Sequence, residues 1–236
     1  MRDHKIENRM TFPREMEPII RQWTENLFTE MEWRADGAFS FEPGEAGGFI
    51  AVADGFPYKG YLKPVNPSDH TNHPRAANEK IVSDLAARLG LPVSPVLLYR
   101  RNNCPENHDT CACVSLIVYP EQFEMSQMRI VDGPVREIVN SVVARSSGMI
   151  ALDTYVGNMD RNSERNIVFG FNKYHPAESS FVFLDYSNSL NMNNRWANQG
   201  WRQVDPPPIY EPFQNGVDIN NLMETVRMLE ALPDEL

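Results

Sequence analysis

The chain has 236 residues and a formal net charge of −10, from 32 acidic and 22 basic side chains. That balance leaves no surplus of cation to pair with nucleic-acid phosphates or an anionic membrane, and no apolar run approaches the roughly 20 residues that span a bilayer. Three cysteines, an odd count in a chain this long, do not suggest a disulfide framework; with the polar start MRDHKIENRM, which lacks the apolar core of a secretory signal, they lead to the expectation of a soluble, cytoplasmic protein.

Ile19, Ile20, Trp23, Leu27, Phe28 and Met31 recur at helical spacing and predict an amphipathic helix within residues 14–34. Three extended stretches follow at Ala38–Phe41, Phe49–Ala53 and Tyr58–Lys63, separated by Pro43-Gly44, Gly47-Gly48 and Asp54-Gly55. Lys59, Tyr61 and Lys63 share one face of the third, because side chains alternate along a strand. The run AANEKIVSDLAARL places Ala77, Ile81, Leu85 and Leu89 at four-residue spacing, and Gly90 with Pro92 closes that helix. Strands at Val93–Tyr99 and Cys113–Tyr119 come next, then a helix over 134–152, the loop GNMDRNSERN, and strands at Ile167–Phe171 and Phe181–Tyr186. A Pro-rich connector leads to a last helix near Asp218–Leu232. This order is α+β, a small sheet-rich lobe joined to a mostly helical one, with a boundary near Pro120. The domain reading is an N-terminal helical extension (1–35), an N-lobe (36–120) and a C-lobe (121–236).

Taken alone, Lys63 is an ordinary surface lysine. Its meaning changes with Glu79, which lies 16 residues downstream and early in the following helix. A cation that contacts phosphates must be aimed by a fixed anion, and a strand lysine held by a helix glutamate does this for ATP in kinases. Gly157-Asn158-Met159-Asp160-Arg161 follows a helix, and Asn166 stands six positions past Asp160 at the start of an apolar strand. An aspartate so placed can orient an attacking hydroxyl, and the asparagine can hold a metal ion. Asp185 ends the apolar run Phe181–Leu184, where a carboxylate suits a hard cation such as Mg²⁺. A plain polar turn explains either of the last two elements equally well by itself; the ordered set does not reduce to turns.

The segments NEKIVSDLAARLGLPVSPVLLY, LDTYVGNMDRNSERNIVF and FVFLDYSNSL resemble the glutamate-bearing helix, catalytic loop and metal-binding strand of HipA-like kinases, within the phosphoinositide-kinase-like superfamily. The resemblance runs from about Phe49 to Leu190 and implies a two-lobed protein-kinase-like fold. It implies an ATP- and Mg²⁺-dependent phosphotransferase acting on a serine or threonine of a protein substrate, or on its own loop. Lys63 would bind phosphate and pair with Glu79, Asp160 would be the catalytic aspartate, and Asn166 and Asp185 would be the Mg²⁺ ligands. Gly47 and Gly48 would approach the nucleotide's phosphates, although a strand-connecting turn explains them as well, and Tyr119 would lie beside the nucleotide between the lobes. Two departures stand out: Asn162 occupies the position where the family has histidine, and Asn166 comes one residue late. These favour the alternative of a catalytically inactive kinase fold acting as an interaction module. A small-molecule kinase of the aminoglycoside-phosphotransferase type shares the same Asp–Asn–Asp logic. Cys104, His108, Cys111 and Cys113 match no common zinc spacing, and no serine, Ser115 included, sits in a nucleophile elbow. Trp23, Phe28 and Trp33 read as core or interface; Trp196 and Trp201 read as exposed.

Overall fold

The computed structural model describes residues 12–37, 48–63, 75–99, 112–119, 121–124, 146–158, 161, 166–187, 189–190 and 216–232, with the single positions 137 and 142. The predicted strand Ala38–Phe41 lies outside them, as do Pro43, Gly44, Gly47, Cys104, His108, Cys111, Pro120, Asp160, Asn162, Trp196 and Trp201.

The first helix is shorter than its apolar spacing suggests. A 3-10 turn at Arg14–Met16 runs into α1 (Glu17–Glu25), which has a proline near its N-terminus and buries Ile20 and Trp23. At Asn26 the backbone becomes extended, and Phe28 and Met31, expected on the same helix, lie beyond its end. Strands β1 (Phe28–Thr29) and β2 (Trp33–Ala35) follow, and both join the larger sheet. Trp33 meets Trp23 edge to face at 6.0 Å, and Phe56 stacks on Trp23 at 6.0 Å, so both tryptophans belong to the core.

That sheet continues with β3 (Phe49–Ala53) and β4 (Gly60–Lys63), then β5 (Val96–Tyr99) and β6 (Ala112–Leu116). Its order among the described residues is β1-β5-β6-β4-β3-β2; β1 runs parallel to β5 and every other pair is antiparallel. The β4–β6 register sets Gly60 opposite Leu116 and Lys63 opposite Cys113. The mixture of this sheet with packed helices is an α+β architecture, as the element order predicted.

Between β4 and β5 lies α2 (Arg75–Arg88). Gly90, with φ +69°, ends it: its N–H reaches the Ala87 carbonyl while that of Leu91 reaches Ala86, the paired bonds of a left-handed cap. Its buried face is not the apolar one. Ile81 is exposed, whereas Asn78, Glu79, Lys80 and Ser83 are buried with Val82 and Ala86. Each buried polar group has a partner, as desolvation requires: Lys80 donates to the Trp23 carbonyl at 2.9 Å, Ser83 to that of Ser94 at 2.7 Å, and Asn78 to that of Ser189 at 2.6 Å.

A second sheet of three antiparallel strands, β7 (Gln122–Glu124), β8 (Ile167–Gly170) and β9 (Ser180–Phe183), holds the second half of the chain. Between β7 and β8 is α3 (Gly148–Val156), which runs four residues past the predicted helix over 134–152; before it, the described positions Glu137, Val142 and Ser146 are helical as predicted. Helix α4 (Ile219–Glu230) packs on α3; its cap Asp218 accepts from the N–H groups of Asn220 and Asn221. One core cluster joins Val82 and Ala86 of α2 to Met149, Leu152, Phe169, Phe181 and Phe183, while the other gathers the sheet around Leu62, Val114 and Trp23.

Tyr119 is fully buried at the end of the first half, its hydroxyl donating to the Glu178 carbonyl at 2.7 Å. A Cβ on Gly170 would sit 2.1 Å from that ring, and the ring is held at both ends. Gly170→Ala should therefore lower stability by about 1–3 kcal/mol, the usual cost of overpacking. Gly37→Ala, where a Cβ meets nothing within 4 Å, should change little. Urea denaturation of the two variants beside wild type makes the comparison, and equal midpoints for all three would show that the Tyr119 ring yields freely.

Candidate active site

Lys63 ends β4, Glu79 lies in the second turn of α2, and Asp185 comes two residues after β9. The fold brings these three together. The Lys63 Nζ is 2.5 Å from Glu79 Oε1 and 2.9 Å from Asp185 Oδ1. Their side chains are 14%, 2% and 30% exposed, so the group grades from a sealed carboxylate to one that solvent reaches. Glu79 uses its other oxygen, Oε2, to accept from the Tyr186 N–H at 3.0 Å. Ser187 Oγ donates to Asp185 Oδ1 at 2.6 Å. The one carboxylate of Glu79 therefore fixes both the lysine and the backbone just past Asp185.

The electrostatics follow from that sharing. Burial opposes the Lys63 ammonium, but the carboxylates of Glu79 and Asp185 outweigh it and raise its pKa, so it stays charged. Asp185 is also opposed by burial, yet Lys63 and the Ser187 hydroxyl hold its carboxyl well below the usual range. Glu79 moves the other way: burial raises its pKa against the pull of Lys63, and nearby Asp185 adds to the rise. Cys113, across the ladder from Lys63, is pushed up by burial and by both carboxylates, and it remains a thiol rather than a reactive thiolate.

Asp185 has φ +59°, a left-handed conformation uncommon for a residue with a side chain, though aspartate tolerates it better than most. Leu190 repeats it at φ +56°, and its N–H is tied to the Val156 carbonyl at 2.8 Å. The turn from 185 to 190 is thus bracketed by two left-handed residues and held from α2 by Asn78 and Glu79. Asn166 stands at the same end of the β8–β9 hairpin as Asp185, since its carbonyl accepts from the Leu184 N–H at 2.9 Å. Among the described residues no group of three or more His, Cys, Asp or Glu side chains is placed to hold a metal ion.

Several predicted residues stand differently. Asp160 and Gly47 lie outside the described residues. Gly48 has a local reason to be glycine, because a Cβ there would meet the Tyr61 ring at 2.6 Å. Tyr119 is fully buried, its ring against Gly170 and its hydroxyl donating to the Glu178 carbonyl. Lys59, one residue before β4, pairs with Asp36 at 2.6 Å and takes no part in the triad.

Sequence reasoning missed Asp153 and Arg161. Both are about 1% exposed, and Arg161 Nε and Nη2 meet the two Asp153 oxygens at 2.9 and 3.2 Å. A charged residue inside the otherwise apolar helix GMIALDTYV was the available signal, since a buried carboxylate demands a partner. Helix α3 ends at Gly157, left-handed at φ +66°, and the chain turns there toward Asn158 and Arg161.

No protein-family model matches the chain, and no curated protein sequence does. Among solved structures it is similar to the Helicobacter pylori proinflammatory kinase CtkA, at 16% identity and a TM-score of 0.46, over 70% of this chain and 60% of that one. It is also similar to the kinase domain of Mycobacterium tuberculosis PknI, in its C20A_R136N double mutant, at 15% identity and a TM-score of 0.37, over 63% of this chain and 58% of that one. The chain thus spans less than two thirds of either structure. No helix among the described residues is long and apolar enough to cross a membrane.

The depressed pKa of Asp185 has a definite sign in stability. Its contribution is present above the unfolded value of about 3.9 and is lost as pH falls through the lower folded value. Wild type should lose stability between about pH 5 and about pH 3, and Asp185→Asn should flatten part of that slope. Parallel urea midpoints across this range measure it; identical slopes would mean that Asp185 is not held charged by Lys63.

Proposed function

We propose that the chain is an ATP- and Mg²⁺-dependent phosphotransferase of HipA-like type, with a two-lobed kinase architecture divided near residue 120. It would transfer phosphate to a serine or threonine hydroxyl of a protein. The observation that carries this reading is the Lys63–Glu79–Asp185 triad: a strand cation fixed by a sealed helix carboxylate and shared with a second, solvent-reached one. A strand cation aimed by a sealed carboxylate and shared with a solvent-reached one is the kind of perturbed charge cluster found at functional sites.

The donor set suits Mg²⁺. Asp185 is kept ionised, Asn166 offers a second hard oxygen from the same hairpin end, and Mg²⁺ commonly takes only one or two protein ligands beside phosphates and water. Bound there, the cation would offset charge on the triphosphate. Lys63 would contact the phosphates, with Glu79 preventing its long side chain from wandering. Asp160 would orient the acceptor hydroxyl and take its proton. The hydroxyl oxygen bonds to the γ-phosphorus, the bond from that phosphorus to the β–γ bridging oxygen breaks, and ADP leaves with the electron pair. The second reading, an inactive interaction module, is favoured by Asn162 in place of histidine and by the late Asn166.

Mg²⁺-dependent ATP binding should appear as a thermal shift; a ligand at 100 times its dissociation constant adds about 2.7 kcal/mol. Lys63→Met and Glu79→Gln should each weaken binding, and the double variant should lose less than the sum of the two. Lys59→Met should do little. No shift at millimolar nucleotide counts against the proposal, and an equal loss at Lys59 means that the wrong lysine was chosen.

Asp160 and Asp185 separate the two readings. Asp160→Asn should still bind Mg²⁺-ATP while transfer falls about 10²- to 10⁴-fold, the usual contribution of a positioned proton acceptor. Asp185→Asn should damage both. Mass spectrometry after incubation with Mg²⁺-ATP reads self-transfer, and labelled ATP reads transfer to candidate proteins. Wild type that binds nucleotide without transfer is the interaction module; unimpaired Asp160→Asn removes the catalytic-loop assignment.

A further inference from the structure

We infer that Arg161 is a positioning residue for phosphoryl transfer, a buried guanidinium that sets the segments carrying Asp160, Asn166 and Asp185 in register. The inference rests on the phosphotransferase reading above. Arg161 is covalently next to Asp160. Its Nη1 donates to the carbonyl of Asn166 at 2.7 Å and to that of Leu184, the residue before Asp185, at 2.5 Å. Its Nε and Nη2 take both oxygens of Asp153 on α3. One side chain thus meets three segments, two of them carrying the proposed metal ligands Asn166 and Asp185, and it is itself the neighbour of Asp160.

Asn158 shares this anchor: its Nδ2 donates to Asp153 Oδ1 at 3.1 Å, so residues 158 and 161 grip the same carboxylate. Asp153 in turn is fixed by the helix on which it sits. The Arg161 guanidinium also lies over the rings of Tyr186 and Phe183, centroids 4.8 and 5.4 Å away, which flank the Asp185 turn. At 1% exposure Arg161 touches no ligand; its influence passes through backbone. Lysine cannot replace it, because these contacts use a planar fork of several donors at once.

Arg161→Lys keeps a cation for Asp153 and loses the carbonyl contacts, which makes it the informative variant. It should remain folded, with kcat at saturating Mg²⁺-ATP reduced about 10- to 100-fold, the range typical of groups that orient a metal site from behind. Binding of Mn²⁺ with a non-hydrolysable ATP analogue should weaken by a similar factor. Without any ligand, the Leu184 amide, which donates to the Asn166 carbonyl, should exchange its hydrogen faster. A merely structural role would lower the melting temperature and leave kcat and Mn²⁺ affinity of the folded protein alone; that result overturns the assignment. If Arg161→Lys does not fold, Asn158→Ala releases its hold on Asp153 with the guanidinium intact. Its kcat should fall while Mn²⁺ affinity holds, and wild-type kcat would overturn the assignment. Wild type that binds neither Mn²⁺ nor nucleotide overturns the phosphotransferase reading, and this role with it.

Discussion

The structure turns on a carboxylate that water scarcely reaches. Glu79 is 2% exposed, and removing the partner of such a buried charge typically costs about 3–5 kcal/mol. Lys63 and the Tyr186 N–H are what make its burial tolerable, and the three groups come from three places in the chain: the end of β4, the second turn of α2 and the turn after β9. None of them can shift far without stranding a charge. The register of β4 on β6, with Lys63 opposite Cys113, is therefore linked to the placement of a helix and of a turn more than a hundred residues away from it in sequence.

Helix α2 shows how far that constraint spreads. Asn78, Glu79 and Lys80 are consecutive and buried, yet they point to different neighbours: the turn after Asp185, the strand lysine, and the last turn of α1. An apolar stripe would let the helix slide or rotate at modest cost. Three directional contacts in one turn do not, because any rotation leaves at least one desolvated polar group unpaired. Burial lowers the pKa of Lys80 against the opposing pull of Asp84, so even that contact is held in a setting that disfavours charge. The helix is pinned by polar groups and packed by apolar ones.

That division explains what the sequence made legible. The capping glycine Gly90, the strands at Phe49 and Ile167, the α+β order and the chain order lysine, glutamate, aspartate are local or nearly local signals. The fold places those three charged residues in contact. The apolar spacing within 14–34 misled because Phe28 and Met31 sit at helical intervals while Phe28 pairs with Leu98 in a sheet, and short apolar runs do not tell helix from strand. The polar part of the buried side of α2 had no local signal, because the partners that permit it are 57 and 111 residues distant for Lys80 and Asn78. Strand β7, Gln-Phe-Glu, carries no strand pattern of its own and is defined by the β8 edge it joins.

Arg161 and Lys63 invite comparison, because burial alone does not distinguish structure from chemistry. Arg161 is sealed, its fork occupied by a carboxylate and two backbone carbonyls, with aromatic rings over its plane. Nothing is left for a ligand, and guanidinium is suited to such a closed arrangement. Lys63 differs in each respect. It is a flexible ammonium at a strand end, partly reached by solvent, held by one sealed carboxylate and one open one. The open carboxylate belongs to a residue in a left-handed conformation, the kind of local strain that persists only where surrounding contacts enforce it and that clusters at functional sites. Here those contacts come from Glu79 through the Tyr186 amide, from Asn78 through the Ser189 carbonyl, and from Arg161 through the Leu184 carbonyl. The sealed cation thus helps hold the backbone that presents the open pair.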